Sequence, residues 1–255
     1  MDLGLKGKTA LLLASSKGLG KATAMKFAEE GANVMISSRN EEELKKTAAE
    51  IRAKTGARVS YKVCNVMDNE QIIELVHETA NQYKTIDILV NNAGGPPAGQ
   101  FDDFSDKDWV NAFELTLLSV IRTIRAVLPY MRKQQSGRIV NIASSSFKQP
   151  IENLTLSNTF RTGIMGLSKS LSQELATDNI LINTVGPGRI ATERLTELDS
   201  KLAEAKGLTL EEITKRSEAS IPLGRYGTPE EFANVLVFLC SEANTYVTGQ
   251  AILID

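Results

Sequence analysis

Seven residues near the start of the chain, Ala14-Ser15-Ser16-Lys17-Gly18-Leu19-Gly20, have the composition of a turn that receives phosphate. A short apolar run at 9–14 leads into the turn, and a helical pattern follows it to about residue 30. Glycines let the backbone approach a pyrophosphate closely, and a helix start offers free N–H groups and a positive dipole end. The alternative is a tight turn that holds no ligand. A second group lies later in the chain: Ser144-Ser145-Ser146-Phe147, then Ser157-Asn158-Thr159-Phe160-Arg161 opening an apolar helix. It offers hydroxyls and one permanent cation. An arginine, with a pKa above about 12, can bind hydroxyls or steady a developing oxyanion but cannot readily give up a proton.

Strand and helix patterns alternate along the whole chain. Apolar runs rich in β-branched residues occur at 33–38, 59–63, 86–90, 138–143, 180–185 and 251–254. Helical periodicities occur at 41–54, with Asn40 as cap, and at about 69–83, 106–134 and 157–177. Near-continuous apolar strands separated by helices predict a parallel sheet covered on both faces, and right-handed crossovers make it doubly wound. No linker or repeat interrupts the pattern, so residues 1–255 are expected to form a single α/β domain. The polar helical stretch at 191–220 breaks the rhythm beyond a strand end, where ligands sit in such sheets, and is a candidate substrate lid.

The 255 residues can bury one large core. A net charge of -2 leaves no electrostatic footprint for nucleic acid or an anionic membrane. Cys64 and Cys240 lie in apolar runs without metal-type spacing and read as core residues in a reducing compartment. The first residues lack the apolar core of a signal peptide, and no apolar run is long enough to span a bilayer. A cytoplasmic protein is expected, with no metal.

The second strand ends at Ser37-Ser38-Arg39. A neutral residue here, followed by a cation, suits a ribose 2′-phosphate better than a 2′-hydroxyl, which wants a carboxylate. Lys17 in the glycine turn could converge with Arg39 on that phosphate. NADP(H) is therefore preferred, with NAD(H) possible, and surface charge is the alternative reading of both cations.

Several segments together resemble the short-chain dehydrogenase/reductase family: the glycine turn, Asn65-Val66, Asn91-Asn92-Ala93-Gly94, Pro187-Gly188-Arg189-Ile190-Ala191-Thr192, Ile221-Pro222-Leu223-Gly224-Arg225 and Val247-Thr248-Gly249-Gln250. These cover nearly the whole chain. The resemblance implies a Rossmann fold that binds NADP(H) through Ala14, Ser16, Lys17, Gly18, Leu19, Gly20 and Arg39. It further implies Asn65 and Val66 at the adenine, Asn91, Ala93 and Gly94 lining the cleft, and Pro187, Gly188, Ile190 and Thr192 at the nicotinamide. Alanine at 14 stands where the family has glycine, so a slightly displaced turn is expected. The chain stops at Ile254-Asp255, where the family usually continues with Gly-Gly and a few more residues.

The catalytic set departs from the family. Ser144 matches the serine that orients the substrate carbonyl, although serines after a strand are also turn formers. Counting back without gaps from Gly166-Leu167-Ser168-Lys169 puts Ser157 at the family's tyrosine and Arg161 at its lysine. No tyrosine occurs between Tyr130 and Tyr226. An ungapped match puts Thr116 at the family's asparagine. Tyrosine, with a pKa of about 10, can be tuned toward neutrality, whereas a serine hydroxyl is far weaker as an acid. Loss of a general acid typically costs about 10²–10⁴ in rate.

Arg161 remains able to hold ribose. His77 reads as surface and Tyr226 as packing, while Lys148 and Glu152 could border the cleft. Arg122, Arg125, Arg132 and Lys133 read as a solvated face, with an acidic carrier protein as the sharper alternative. The expected function is an NADP(H)-dependent oxidoreductase acting on the carbonyl or hydroxyl of a small-molecule substrate by an atypical proton path. The alternative is a nucleotide-binding homologue without turnover, serving as a sensor or partner subunit. The resemblance also implies a homodimer or homotetramer built through the long helices at 106–134 and 157–177.

Overall fold

In the computed structural model, which describes residues 2–255, the apolar runs form seven strands of one sheet. They are β1 (Thr9–Leu12), β2 (Asn33–Ser38), β3 (Val59–Val63), β4 (Ile88–Asn91), β5 (Gly137–Ile142), β6 (Ile180–Pro187) and β7 (Ala251–Ile254). Every pairing is parallel, in the order β3-β2-β1-β4-β5-β6-β7. The chain winds outward from β1 to β3, then returns to place β4 on the other side of β1. That reversal opens a crevice at the carboxyl ends of β1 and β4, where doubly wound sheets take their ligands.

Helices cover both faces: α1 (Gly18–Glu29), α2 (Glu41–Thr55) and α9 (Pro229–Leu239) on one, α3 (Asn69–Tyr83), α5 (Ser119–Gln134) and α6 (Thr155–Glu174) on the other. The strands supply the two cores alternately. Ala10, Leu12, Val34 and Ile36 pack with Ala24, Phe27, Leu44 and Phe232, whereas Leu11, Met35 and Leu89 pack with Leu75, Val76, Ile124 and Val127. With about 1.5–3 kcal/mol for each fully buried Leu or Ile, a one-residue slip of any strand would exchange its two side-chain sets between the cores. The register is thereby fixed, and with it the strand ends that carry the site. Cys64 and Cys240 are buried and unpaired in these cores, and burial pushes the Cys64 thiol up to about 11. Among the described residues, no helix is long and apolar enough to cross a membrane.

Two expectations change. The single helix expected over 106–134 is interrupted: α4 (Asp106–Phe113) ends in a π turn over Glu114–Leu118 before α5 begins. Such bulges arise where a helix gains a residue per turn, and they re-aim the side chains within them. The insertion at 191–220 folds as α7 (Glu193–Lys206) and α8 (Leu210–Ala219), hinged at the left-handed Gly207 and restarted by a Thr209–Glu212 capping box. The first strand also stops earlier than its apolar run, because Ala14 turns the chain.

Candidate active site

The glycine turn brings the start of α1 close against the end of β1. Ala14 adopts φ 45, the left-handed conformation that glycine takes at no cost, and does so despite its methyl group. Its carbonyl is held by the Asn92 side-chain amide, which donates at 3.0 Å from beyond β4. A Cβ on Gly20 would lie 2.5 Å from the Ala14 carbonyl oxygen, so only glycine lets α1 start this close to β1. Lys17 precedes α1 with no side-chain cap, and the first turn of α1 carries no acidic residue. By contrast, Asn40, Asp68, Ser105, Thr192, Thr209 and Thr228 each cap their helices. The free N–H groups of α1 therefore face the crevice.

The surrounding charges are less simple than the sequence implied. Lys17 Nζ reaches Glu193 at 3.0 Å, and this partner raises its pKa. The Ser16 hydroxyl donates to Glu43 at 3.1 Å, which brings a carboxylate to the edge of the proposed 2′-phosphate site. Arg39 is exposed. Asn65 folds into a local turn, its Oδ1 accepting from Met67 N at 3.2 Å, and Val66 packs on the second core. Asn91 gives its amide to Asn141 at 2.8 Å, in a buried chain that continues through Ser168 to Thr184 and ties β4, β5, α6 and β6 together. Its side chain is thus committed to the sheet, while Ala93 and Gly94 continue into the crevice.

Ser144 follows β5, and its Oγ accepts from Ser146 N at 3.2 Å. Helix α6 starts at Thr155, so Ser157 lies in its first turn and Arg161 one turn on, along one buried face. Arg161 Nη1 donates to the carbonyls of Ile142 at 3.0 Å and Ala143 at 2.9 Å, and Nη2 reaches Ala93 O at 3.5 Å. The guanidinium therefore joins the ends of β4 and β5 beside Ser144. Burial lowers its pKa to about 10, with the charge of Arg194 as a second cause, and it remains a cation at neutral pH.

The π turn buries Thr116, which is 1% exposed. The hydroxyls of Thr116 and Ser146 are both sealed from solvent and have no partner among the described residues. Arg161 is thus held by backbone carbonyls, with Ser157 one turn before it on α6 and Ser144 next along the chain from Ala143.

Beyond β6, Pro187, Gly188 and Ile190 lead to Thr192, whose side chain would lie 3.8 Å from a Cβ on Gly18. Gly188 is needed for packing, since a Cβ there would come within 2.4 Å of Asp255. Asp199 of α7 binds both Arg189 and Tyr226, at 2.7 Å each, and pins α7 to this loop. Tyr226 is therefore structural, and burial holds its phenol above the ordinary value, the wrong direction for an acid at neutral pH. His77, Lys148 and Glu152 are exposed. Arg122, expected on a solvated face, instead donates to Met67 O at 2.9 Å.

Sequence reasoning did not find Glu43, Arg194, Asp199 or the unpartnered hydroxyl of Ser146. Only Arg194 left a signal, two residues beyond the Thr192 cap.

This fold and site define an oxidoreductase of the dinucleotide-binding, doubly wound class. The family model described as Enoyl-(Acyl carrier protein) reductase matches residues 13–255. The chain is 38% identical to the 3-oxoacyl-[acyl-carrier-protein] reductase of Aquifex aeolicus, covering 100% of this chain and 98% of that protein. It is 33% identical to the uncharacterized oxidoreductase YvrD of Bacillus subtilis over 98% of this chain and 96% of that one. The L-sorbose reductase of Gluconobacter frateurii, solved with NADPH and L-sorbose, superimposes with a TM-score of 0.95 at 33% identity, covering 100% and 97% of the two chains. An actinorhodin polyketide ketoreductase solved with NADPH gives 0.93 at 32% identity, covering 97% and 95%. The chain belongs to the short-chain dehydrogenase/reductase family.

Proposed function

We propose that this protein is an NADP(H)-dependent oxidoreductase acting on a carbonyl or hydroxyl carbon, with water in place of a phenol in its proton path. The observation that carries this reading is Arg161, locked by three backbone carbonyls at the strand ends with Ser157 one turn before it. Such a side chain cannot act as an acid, yet it is held as rigidly as a catalytic group must be.

The turn fits a dinucleotide, because α1 is uncapped and Gly20 admits nothing larger than hydrogen. Ala14, Gly18, Leu19 and Gly20 would take the pyrophosphate, and Ser16, Lys17 and Arg39 the 2′-phosphate. Asn65 and Val66 would border adenine. Ala93, Gly94, Pro187, Gly188, Ile190 and Thr192 would line the nicotinamide end, with Asn91 bracing it from within the sheet. NADP(H) is favoured because β2 ends without a carboxylate, and two similar structures were solved with NADPH. NAD(H) is the second choice.

A bound nicotinamide would supply or take up the hydride at the substrate carbon. Arg161 would hold its ribose and steady charge developing on the substrate oxygen. Ser144 orients that oxygen. Ser157 holds a water that delivers the proton and is reprotonated from solvent, compensating part of the roughly 10²–10⁴-fold loss expected without a phenol. Helices α7 and α8, at 191–220, act as the lid on a small-molecule substrate, within one domain spanning 1–255. The surfaces of α4, α5 and α6 serve a homodimer or homotetramer, and the protein works in the cytoplasm.

The test is NADPH binding by fluorescence together with a turnover screen over ketones, quinones, 3-oxoacyl thioesters and oxo acids. Saturable binding with NADPH oxidation by at least one class is expected. Binding without any oxidation would favour a nucleotide-binding homologue without turnover. Failure to bind either nucleotide would overturn both readings.

A further inference from the structure

Among the described residues, no acid pairs with the cation at the centre of this site. Arg161 is 6% exposed, and all three of its hydrogen bonds go to backbone carbonyls. A guanidinium has five N–H donors, so these contacts leave part of it free. Burying a cation is costly unless an anion accompanies it.

A second guanidinium approaches from the lid. Arg194, the second residue of α7, places Nη2 3.7 Å from where a Cβ on Gly95 would stand. Arg161 Nη2 contacts Ala93 O, two residues earlier on the same turn. Both cations therefore flank Ala93-Gly94-Gly95, near enough for Arg194 to add to the lowering of the Arg161 pKa. Arg194 shares Nη1 with Glu197 at 3.3 Å, an exposed pair on one helix turn that binds weakly and is easily displaced. Two cations held together repel unless an anion lies between them.

We propose that Arg161 and Arg194 receive a carboxylate carried by the substrate, so that the protein acts on an oxo acid or its hydroxy acid rather than on an uncharged ketone or thioester. Guanidinium forks match carboxylates in bidentate geometry. The cofactor's pyrophosphate is the other anion in reach, but it is already served by the uncapped start of α1, whereas Arg161 sits at the ends of β4 and β5. The assignment rests on the oxidoreductase reading only for what happens to the carbon beside that carboxylate.

The test compares benzoylformate with methyl benzoylformate, and acetoacetate with methyl acetoacetate, by calorimetric binding to the NADP⁺-loaded protein and by NADPH oxidation. At least one acid should bind about tenfold more tightly than its ester, the scale of one charge-assisted hydrogen bond. Arg194→Met should bring that ratio to within about twofold, and Arg194→Lys should keep part of it, while the Kd for NADPH changes less than about twofold. Because Arg194 is exposed, neither variant threatens the fold. Equal binding of acids and esters, or binding of neither, overturns the proposal. So does an Arg194→Met loss of NADPH affinity as large as its loss of acid affinity, which would place Arg194 on the pyrophosphate. An acid that binds preferentially but is never reduced supports the anion pair and overturns the turnover reading alone.

Discussion

Arg161 Nη1 donates to the carbonyl oxygen of Ala143 at 2.9 Å, across 18 residues of chain, and so fixes a cation at the mouth of the strand that leads into Ser144. The bond ties the first turns of α6 to the end of β5. On the proposed register it keeps a charge at the family's lysine position, with Ser157 rather than a phenol one turn before it.

Restoring both family residues tests the proton path. Ser157→Tyr with Arg161→Lys should raise reduction of an uncharged ketone at least about tenfold, with a new basic limb in the pH–rate profile from the phenol. Steady-state NADPH oxidation across pH measures it. An unchanged rate in a folded double variant would mean that the pocket, not the proton, limits such substrates.

The Ser16–Glu43 bond predicts an unusual gain. Glu43→Gln removes a carboxylate 3.1 Å from a presumed phosphate ligand and should tighten NADPH binding about threefold. Lys17→Ala should weaken it about threefold to tenfold, a modest loss because the lysine is exposed and already paired with Glu193. Fluorescence titration with NADPH and NADH decides, since NADH affinity should hardly move in either variant.

Thr116 separates stability from function. Its buried hydroxyl has no partner, so Thr116→Val removes an unsatisfied group and should stabilise the fold by about 1 kcal/mol. Turnover should hardly change, because a hydroxyl sealed from solvent meets no relay water. Denaturant unfolding and kcat are the two readouts. A stability loss above about 1 kcal/mol would show a structural hydroxyl instead.

Acid should loosen the segment behind the lid. Arg225 donates to both carboxylate oxygens of Glu231, at 2.9 and 2.6 Å, and Thr228 N adds a third bond. First the Arg225 pairing and then the backbone bond lower the Glu231 pKa from 4.5 to about 2. A depressed folded pKa means stability that is present above 4.5 and lost as pH falls toward about 2. The Tm difference between wild type and Glu231→Gln should therefore be largest near neutral pH and vanish by about pH 2.

By itself the sequence determined the doubly wound fold, the glycine turn before α1 and the family. These are readable because apolar runs and turn chemistry are local: near-continuous apolar runs mark β1 and β2 as strands buried on both faces, and a helix start needs only its own first residues. The tertiary structure alone decided what those residues face. Arg161 meets Ala93 across 68 residues, Ser16 meets Glu43 across 27, and Asn91 meets Asn141 across 50. The π turn that buries Thr116 also has no periodicity to announce it, since the apolar pattern runs on from α4 into α5. A residue's type and neighbours set its charge and donors; only folding sets whether a carbonyl, a carboxylate or nothing stands opposite, and here that choice left a buried cation without an acid.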